Sequence, residues 1–224
     1  MPPYQIAVIG GTGPQGKGLA YRFVRSGHRV TIGSRSAERA RNTAADIARR
    51  VGETASVSGA DNAAAAGAAD VVLLAVPYKG HAELVASLSA RLAGKVLISC
   101  VNPLGFDKRG PYGLDVADGS AAEEAQRLAP EAKLAGAFHH LSAVNLWSEA
   151  ELLDHEDVLV CADDEQAKAV AVELARVVTG RAGIDAGALR LARHLEPLTA
   201  TLIGINQRYK VRSGIRVAGL EHPR

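Results

Sequence analysis

Residues 7–18 read AVIGGTGPQGKG, and within them Gly11, Gly13 and Gly16 keep the spacing of a glycine-rich phosphate-binding turn. The spacing alone is weak evidence; its surroundings give it meaning. An apolar run, Gln5–Ile9, precedes it, and Leu19, Ala20, Phe23 and Val24 then recur at helical spacing. Gly27 closes that helix and His28-Arg29 leads into a second apolar run, Arg29–Ile32. Strand, turn, helix and strand form a βαβ unit of about thirty residues. In such a unit Gly11 permits the tight turn, Gly13 lets backbone approach a diphosphate and Gly16 allows helix and strand to pack closely. Pro14 suits the first helical turn, where its missing N–H costs nothing. The free amides and positive dipole end of the helix face an anion. The plain alternative is a glycine-rich hairpin with no ligand.

Further runs at Ala55–Ser58, Val71–Val76, Lys95–Cys100, Lys133–Ala137 and Asp157–Cys161 alternate with helical patterns. Several are apolar on both faces, as parallel strands covered by helices must be. The fold expected is α/β: a Rossmann-type doubly wound parallel sheet with a smaller C-terminal, mostly helical domain. The boundaries expected are 1–140 for the dinucleotide-binding domain and 141–224 for the smaller domain closing the cleft. Ala60–Ala69 reads as a short alanine-rich helix, and a long helical pattern runs from Ala188 to about Tyr209 with a break at Pro197. The least regular stretch, 102–119, rich in Gly, Pro and Asp, follows a strand's C-terminal end, where sheets of this kind bind ligands.

The 224 residues are 47% hydrophobic and 22% charged with formal net charge +2, so charge alone argues for neither nucleic acid nor a membrane surface as partner. MPPYQIAVIGG lacks the pattern of a signal peptide, and no apolar stretch approaches membrane-spanning length. Cys100 and Cys161, each ending an apolar run, read as buried thiols in a reducing compartment. The expectation is a cytoplasmic protein.

NAD-binding sheets place an Asp or Glu at the end of the second strand to hold the adenosine ribose. This sequence reads TIGSR there, with Ser34 and Arg35 where the acid belongs and Arg39 one helical turn later. A carboxylate repels a ribose 2′-phosphate, whereas a hydroxyl and two guanidiniums bind it. The pattern points to NADP(H) over NAD(H). The alternative is that Ser34 or Ser36 caps the next helix and both arginines are solvated.

GGTGPQGKGLA (10–20) and GHRVTIGSR (27–35) resemble the NADPH-dependent reductases of coenzyme F420, an 8-hydroxy-5-deazaflavin. Similar landmarks follow in LLAVP (73–77), GAFHHL (136–141), VLVCADDEQAK (158–168) and IDAGALRLARHLEPLT (184–199). The resemblance implies an oxidoreductase carrying hydride reversibly between NADP(H) and coenzyme F420. It implies that Thr12, Ser34, Arg35 and Arg39 join Gly11, Gly13, Pro14, Gln15 and Gly16 in the nucleotide site, with Val76 and Pro77 beside the nicotinamide. It also implies a homodimer formed through the smaller domain. The apolar face Leu191, Leu195, Leu198, Leu202 and Ile205 could form that interface or be ordinary core.

The residues agree with such chemistry. Hydride transfer needs two rings stacked in a dry cleft, not a nucleophile or a metal. No GxSxG elbow, HExxH or Cys/His cluster is present, and His81-Ala82-Glu83, without a following CxxC, reads as an ordinary helical turn. Asn102 and His139 are candidate contacts to the deazaflavin, each following a strand end. His139 or His140 could donate to the ring or be bonded to backbone, and Asn102-Pro103 could be plain turn chemistry. Trp147 reads as packing, and Asp163-Asp164-Glu165 as helix N-terminal charge. Arg208, Lys210, Arg212 and Arg216, with Lys108 and Arg109, form either a solvated basic face or a guide for the coenzyme's anionic phosphodiester and oligoglutamate tail. Two other functions fit the nucleotide half equally well: an NADPH-dependent reductase of a small imine or carbonyl such as pyrroline carboxylate, and a non-catalytic NADP(H)-binding regulator.

Overall fold

The computed structural model describes residues 3–220. The glycine turn joins β1 (Gln5–Ile9) to α1 (Pro14–Arg25), and β2 (Arg29–Ser34), α2 (Ala37–Val51) and β3 (Val57–Asp61) complete the first half. The second half runs α3 (Asn62–Ala68), β4 (Val71–Leu74), α4 (His81–Leu92) and β5 (Val96–Ser99). A hairpin of β6 (Leu104–Asp107) and β7 (Gly110–Gly113) follows, then α5 (Ala121–Leu128) and β8 (Lys133–Gly136). The last third holds α6 (Ala143–Leu146), β9 (Leu159–Ala162), α7 (Glu165–Thr179), β10 (Ile184–Gly187), a 3₁₀ turn at Leu189–Leu191 and α8 (Ala192–Tyr209).

Eight strands form one sheet in the order β10-β9-β8-β5-β4-β1-β2-β3, the doubly wound arrangement expected, and the hairpin is a separate two-stranded sheet. Pairing is parallel throughout except between β8 and β9, which run antiparallel. β9 and β10 therefore extend the sheet of the first 140 residues, and one apolar layer joins Ile6, Val8 and Ile98 to Val160, Val170 and Leu174. The opposite face buries Ala7, Ile9, Val72, Leu74 and Leu97 under α3, α4 and α5. Strands apolar on both sides match this two-sided cover.

The strand order reverses between β1 and β4, which opens a crevice at their C-terminal ends. Two sequence expectations are corrected. Stretch 102–119 is not irregular throughout, because it contains the hairpin, whose Gly-Pro-Tyr-Gly strand conceals the usual alternation. Helix α8 is not broken at Pro197; the break lies earlier, at the 3₁₀ turn before Ala192. Pro197 falls in the second helical turn, where its missing N–H removes one hydrogen bond. Its ring packs so closely on the hairpin that a Cβ on Gly113 would stand 2.7 Å from Pro197 Cβ.

Candidate dinucleotide site

The turn after β1 is built from backbone. Gly10 takes the left-handed conformation at φ 79°, so the tight turn falls on the glycine before the motif rather than on Gly11. Gly11 is instead confined by packing, since a Cβ there would lie 2.8 Å from Val8 O and 3.0 Å from Ile32 Cγ2. The amides of Gly10 and Gly11 both donate to Gly33 O at 3.2 Å, and Gly13 N–H donates to Gly10 O at 2.9 Å. A Cβ on Gly16 would meet Gly10 O and Gly11 Cα at 2.8 Å each, so only glycine lets α1 start this close to the strand.

What remains free is telling. Gly13 is the N-cap with no side-chain cap, and Pro14 occupies the first helical position without an N–H. The amides of Thr12, Gln15 and Gly16 find no acceptor among the described residues. A Cβ on Gly13 would meet only Gly10 O, at 3.4 Å, which leaves backbone bare above the turn. Unpaired amides at a helix N-terminus, with the positive dipole end behind them, fit a diphosphate. The Gln15 side chain is engaged elsewhere. Its Nε2 donates to Phe138 O at 3.1 Å, steadying a residue held at φ 65° at the end of β8.

A cleft of about 810 Å³ opens above the turn, and Thr12, Gly13, Ser34, Arg35, Arg39, Val76 and Pro77 all line it. Ser36, not Ser34, caps α2, its Oγ accepting from Arg39 N–H at 3.3 Å. Ser34 Oγ accepts only from Ser36 N–H, also at 3.3 Å, which leaves its own proton for a ligand. The side chains of Arg35 and Arg39 are exposed and pair with no acid among the described residues. The one nearby acid of the turn, Glu38, lies outside the cleft wall. Positive charge thus stands where an NAD site keeps a carboxylate.

Lys79, Gly80, Glu83 and Asn62 also line the cleft and escaped the sequence reading. Lys79 lies two residues past the Val76-Pro77 landmark, and extending the strand-end rule by one turn finds it. Asn62 is masked by the alanine run that it opens.

Asn102 and His139 lie away from this wall and are joined to each other. Asn102 Nδ2 donates to His139 O at 2.8 Å, and Thr199 Oγ1 of α8 donates to the same carbonyl at 2.9 Å. The His139 ring is 3% exposed, close to Gly136 and Ala192, and Nε2 has no partner. Burial, reinforced by neighbouring His140, pushes its pKa down to about 3, so the ring is neutral. His140 Nε2 donates to Asp157 O at 2.6 Å, the backbone-bonded arrangement. Cys100 ends β5 with its thiol donating to Leu74 O at 3.0 Å, and burial pushes it up to about 12. It is an inert thiol. Trp147 packs edge-on to Tyr21 with centroids 5.1 Å apart, under Lys17 and Arg50.

A family model described as NADP oxidoreductase, coenzyme F420-dependent, matches residues 5–103, which include the whole cleft. The chain is 42% identical over 223 residues to the F420-dependent NADP reductase of Methanothermobacter thermautotrophicus, spanning 96% of this chain and 95% of that protein. It is 38% identical over 226 residues to the F420-dependent NADP reductase of Methanocaldococcus jannaschii, spanning 97% and 99%. Among solved structures, a candidate F420-dependent NADP reductase of Arthrobacter sp. FB24 superposes with a TM-score of 0.78 at 29% identity, over 96% of this chain and 99% of that one. A reductive aminase of Aspergillus terreus, at 18% identity, shares the fold with a TM-score of 0.64. Cradle, cleft and likeness from end to end converge, and the chain belongs to the family of F420-dependent NADP reductases.

Proposed function

We infer that this enzyme transfers hydride reversibly between NADP(H) and coenzyme F420. One observation carries the reading: the likeness to F420-dependent NADP reductases runs over 96% and 97% of the chain, well past residue 103, where the match to the family model ends. In balance, NADPH, oxidised F420 and one proton give NADP⁺ and reduced F420. The two coenzymes supply the hydride donor and acceptor carbons, and the protein supplies alignment and a dry cleft.

The free amides of Thr12, Gln15 and Gly16 hold the diphosphate of NADP(H), with Gly11, Gly13 and Pro14 shaping the turn. Ser34, Arg35 and Arg39 take the 2′-phosphate through charge-assisted hydrogen bonds. Val76 and Pro77 form the wall beside the nicotinamide, and Lys79 adds a further cation there. Asn102 and Thr199, both donating to His139 O, would form the floor under the acceptor ring. Neither the neutral His139 nor the protonated Cys100 moves a proton at neutral pH. Catalysis here is positioning.

The assay mixes the protein with NADPH and oxidised F420 and follows loss of the deazaflavin's visible absorbance, with flavin mononucleotide and pyrroline carboxylate run in parallel. Turnover confined to the deazaflavin is expected; turnover confined to the imine overturns the reading.

We also propose a cytoplasmic homodimer. The free thiols Cys100 and Cys161 are buried, and no helix among the described residues is long and apolar enough to cross a membrane. Ile205 and Tyr209 are exposed on one stripe of α8, and Leu191, 37% exposed, stands in the 3₁₀ turn just before the helix. Sedimentation as a monomer at micromolar concentration rules out pairing through that stripe.

A further inference from the structure

The β6–β7 hairpin leaves the sheet directly after Asn102-Pro103 and lies along α8. Gly113 rests on Pro197 near the start of the helix, and the hairpin tip reaches toward the helix C-terminus. Between them runs an open groove of about 390 Å³ with Pro111, Ala200 and Gly204 as its floor and Arg109, Gln207 and Arg208 as its walls. Positions 200, 204, 207 and 208 share one face of α8. Nothing lies within 4 Å of a Cβ built on Gly204, so the floor there is open.

Arg127 of α5 is held by Asp118 at 2.7 Å and Arg193 of α8 by Glu123 at 2.7 Å. Arg109 and Arg208 have no carboxylate partner among the described residues, and Asp107 accepts only the backbone N–H of Arg109. Lys108 and Lys210 flank them. Two guanidiniums lining one groove favour an anion between them, and a guanidinium fork with an amide donor beside it matches carboxylates. The shallow floor of Ala, Gly and Pro suits methylene stems. The chemistry recognised is an extended chain of carboxylates.

The groove also has a direction. Thr199, which ties α8 to the His139 carbonyl, immediately precedes the first groove residue of the helix, Ala200. From Thr199 to Arg208 the axis rises about 13 Å. A chain leaving an acceptor ring on that floor would run along α8 toward the two arginines.

We propose that this groove binds the glutamate carboxylates of the coenzyme F420 tail, Arg109 and Arg208 gripping them at short range. The proposal rests on the function inferred above. The test uses the full-length enzyme with two acceptors, F420 bearing its oligoglutamate tail and the deazaflavin nucleoside that lacks phosphate and glutamates. The variants are Arg109→Gln/Arg208→Gln and Arg109→Lys/Arg208→Lys. The glutamine pair is expected to raise KM for the tailed acceptor by about five- to tenfold, two partly exposed ion pairs being worth that much. kcat, KM for NADPH and KM for the tail-less acceptor stay unchanged, and the lysine pair recovers part of the loss. Both variants replace exposed side chains, and unchanged thermal midpoints establish that they are folded. Equal changes with both acceptors, or none with either, overturn the proposal. A wild type that shows the same KM for both acceptors does so too, leaving the groove to an acidic chain of another molecule. A wild type that reduces neither deazaflavin refutes the inferred function, and this site falls with it.

Discussion

Ser34 and Arg35 show how far single residues can be read. The sequence places a hydroxyl and a guanidinium where an acid is customary, and the fold brings both, with Arg39, onto one cleft wall. Their hydrogen-bond partners were open on the sequence alone, because Ser34 and Ser36 are equally good caps; the structure gives the cap to Ser36. Replacing both Arg35 and Arg39 by Gln removes two charged donors. At roughly 1.5–3 kcal/mol for hydrogen bonds to charged groups, KM for NADPH should rise at least tenfold. KM for NADH should hardly move, which steady-state kinetics with each nucleotide checks; a parallel rise in both contradicts the assignment to the 2′-phosphate. His139 marks the opposite limit. A histidine after a strand end looks available, but burial depends on α8 packing over it from fifty residues away, which no local pattern announces.

At the scale of elements, α8 is fastened by a buried acid. Glu196 is 1% exposed, and its carboxylate accepts the amides of Ala121 and Ala122 at 2.8 and 3.0 Å, capping α5 from a neighbouring helix. Burial, with Glu123 and Glu124 nearby, pushes its pKa up to about 7 despite those two bonds. Arg193 sits on the same assembly, paired to Glu123. Between the ordinary 4.5 and about 7 the folded chain holds a proton that the unfolded chain has released, so this group's stabilisation fades as pH climbs through that window. His139 acts in the other direction between about 3 and 6.5, where only the unfolded chain is protonated. The informative quantity is therefore the difference between wild type and Glu196→Gln. Denaturant melts at pH 5 and pH 8 should show wild type losing on the order of 1–3 kcal/mol relative to the variant. A difference independent of pH would mean that Glu196 does not titrate there. Such a cap joins residues seventy-five positions apart, and the sequence carries no trace of it. The hairpin was hidden for another reason: β7 is Gly-Pro-Tyr-Gly, and its pairing depends on Tyr112 covering Gly105.

Over the whole molecule the sheet was the most legible part, because strands buried on both faces must be apolar throughout. The antiparallel return of β9 was not, since a short apolar run carries no direction. That return is braced by Arg22 of α1, buried at 1% and donating to the carbonyls of Leu146 at 2.7 Å, Asn145 at 2.7 Å and Ala150 at 2.6 Å. A small residue on the same helix, Gly18, lets α6 come close, as a Cβ there would stand 2.6 Å from Leu146 Cβ. Arg22→Leu strands several carbonyls without donors, and a loss of about 3 kcal/mol or more is expected in urea unfolding. A loss under about 0.5 kcal/mol, the size of an ordinary surface change, contradicts that role.

The β6–β7 hairpin pairs only with itself and leans on α8 rather than joining the eight-stranded sheet. It can therefore be lengthened, shortened or exchanged without breaking a single rung of the main ladder. A lineage, or an engineer, can vary this arm while the nucleotide cradle is inherited untouched.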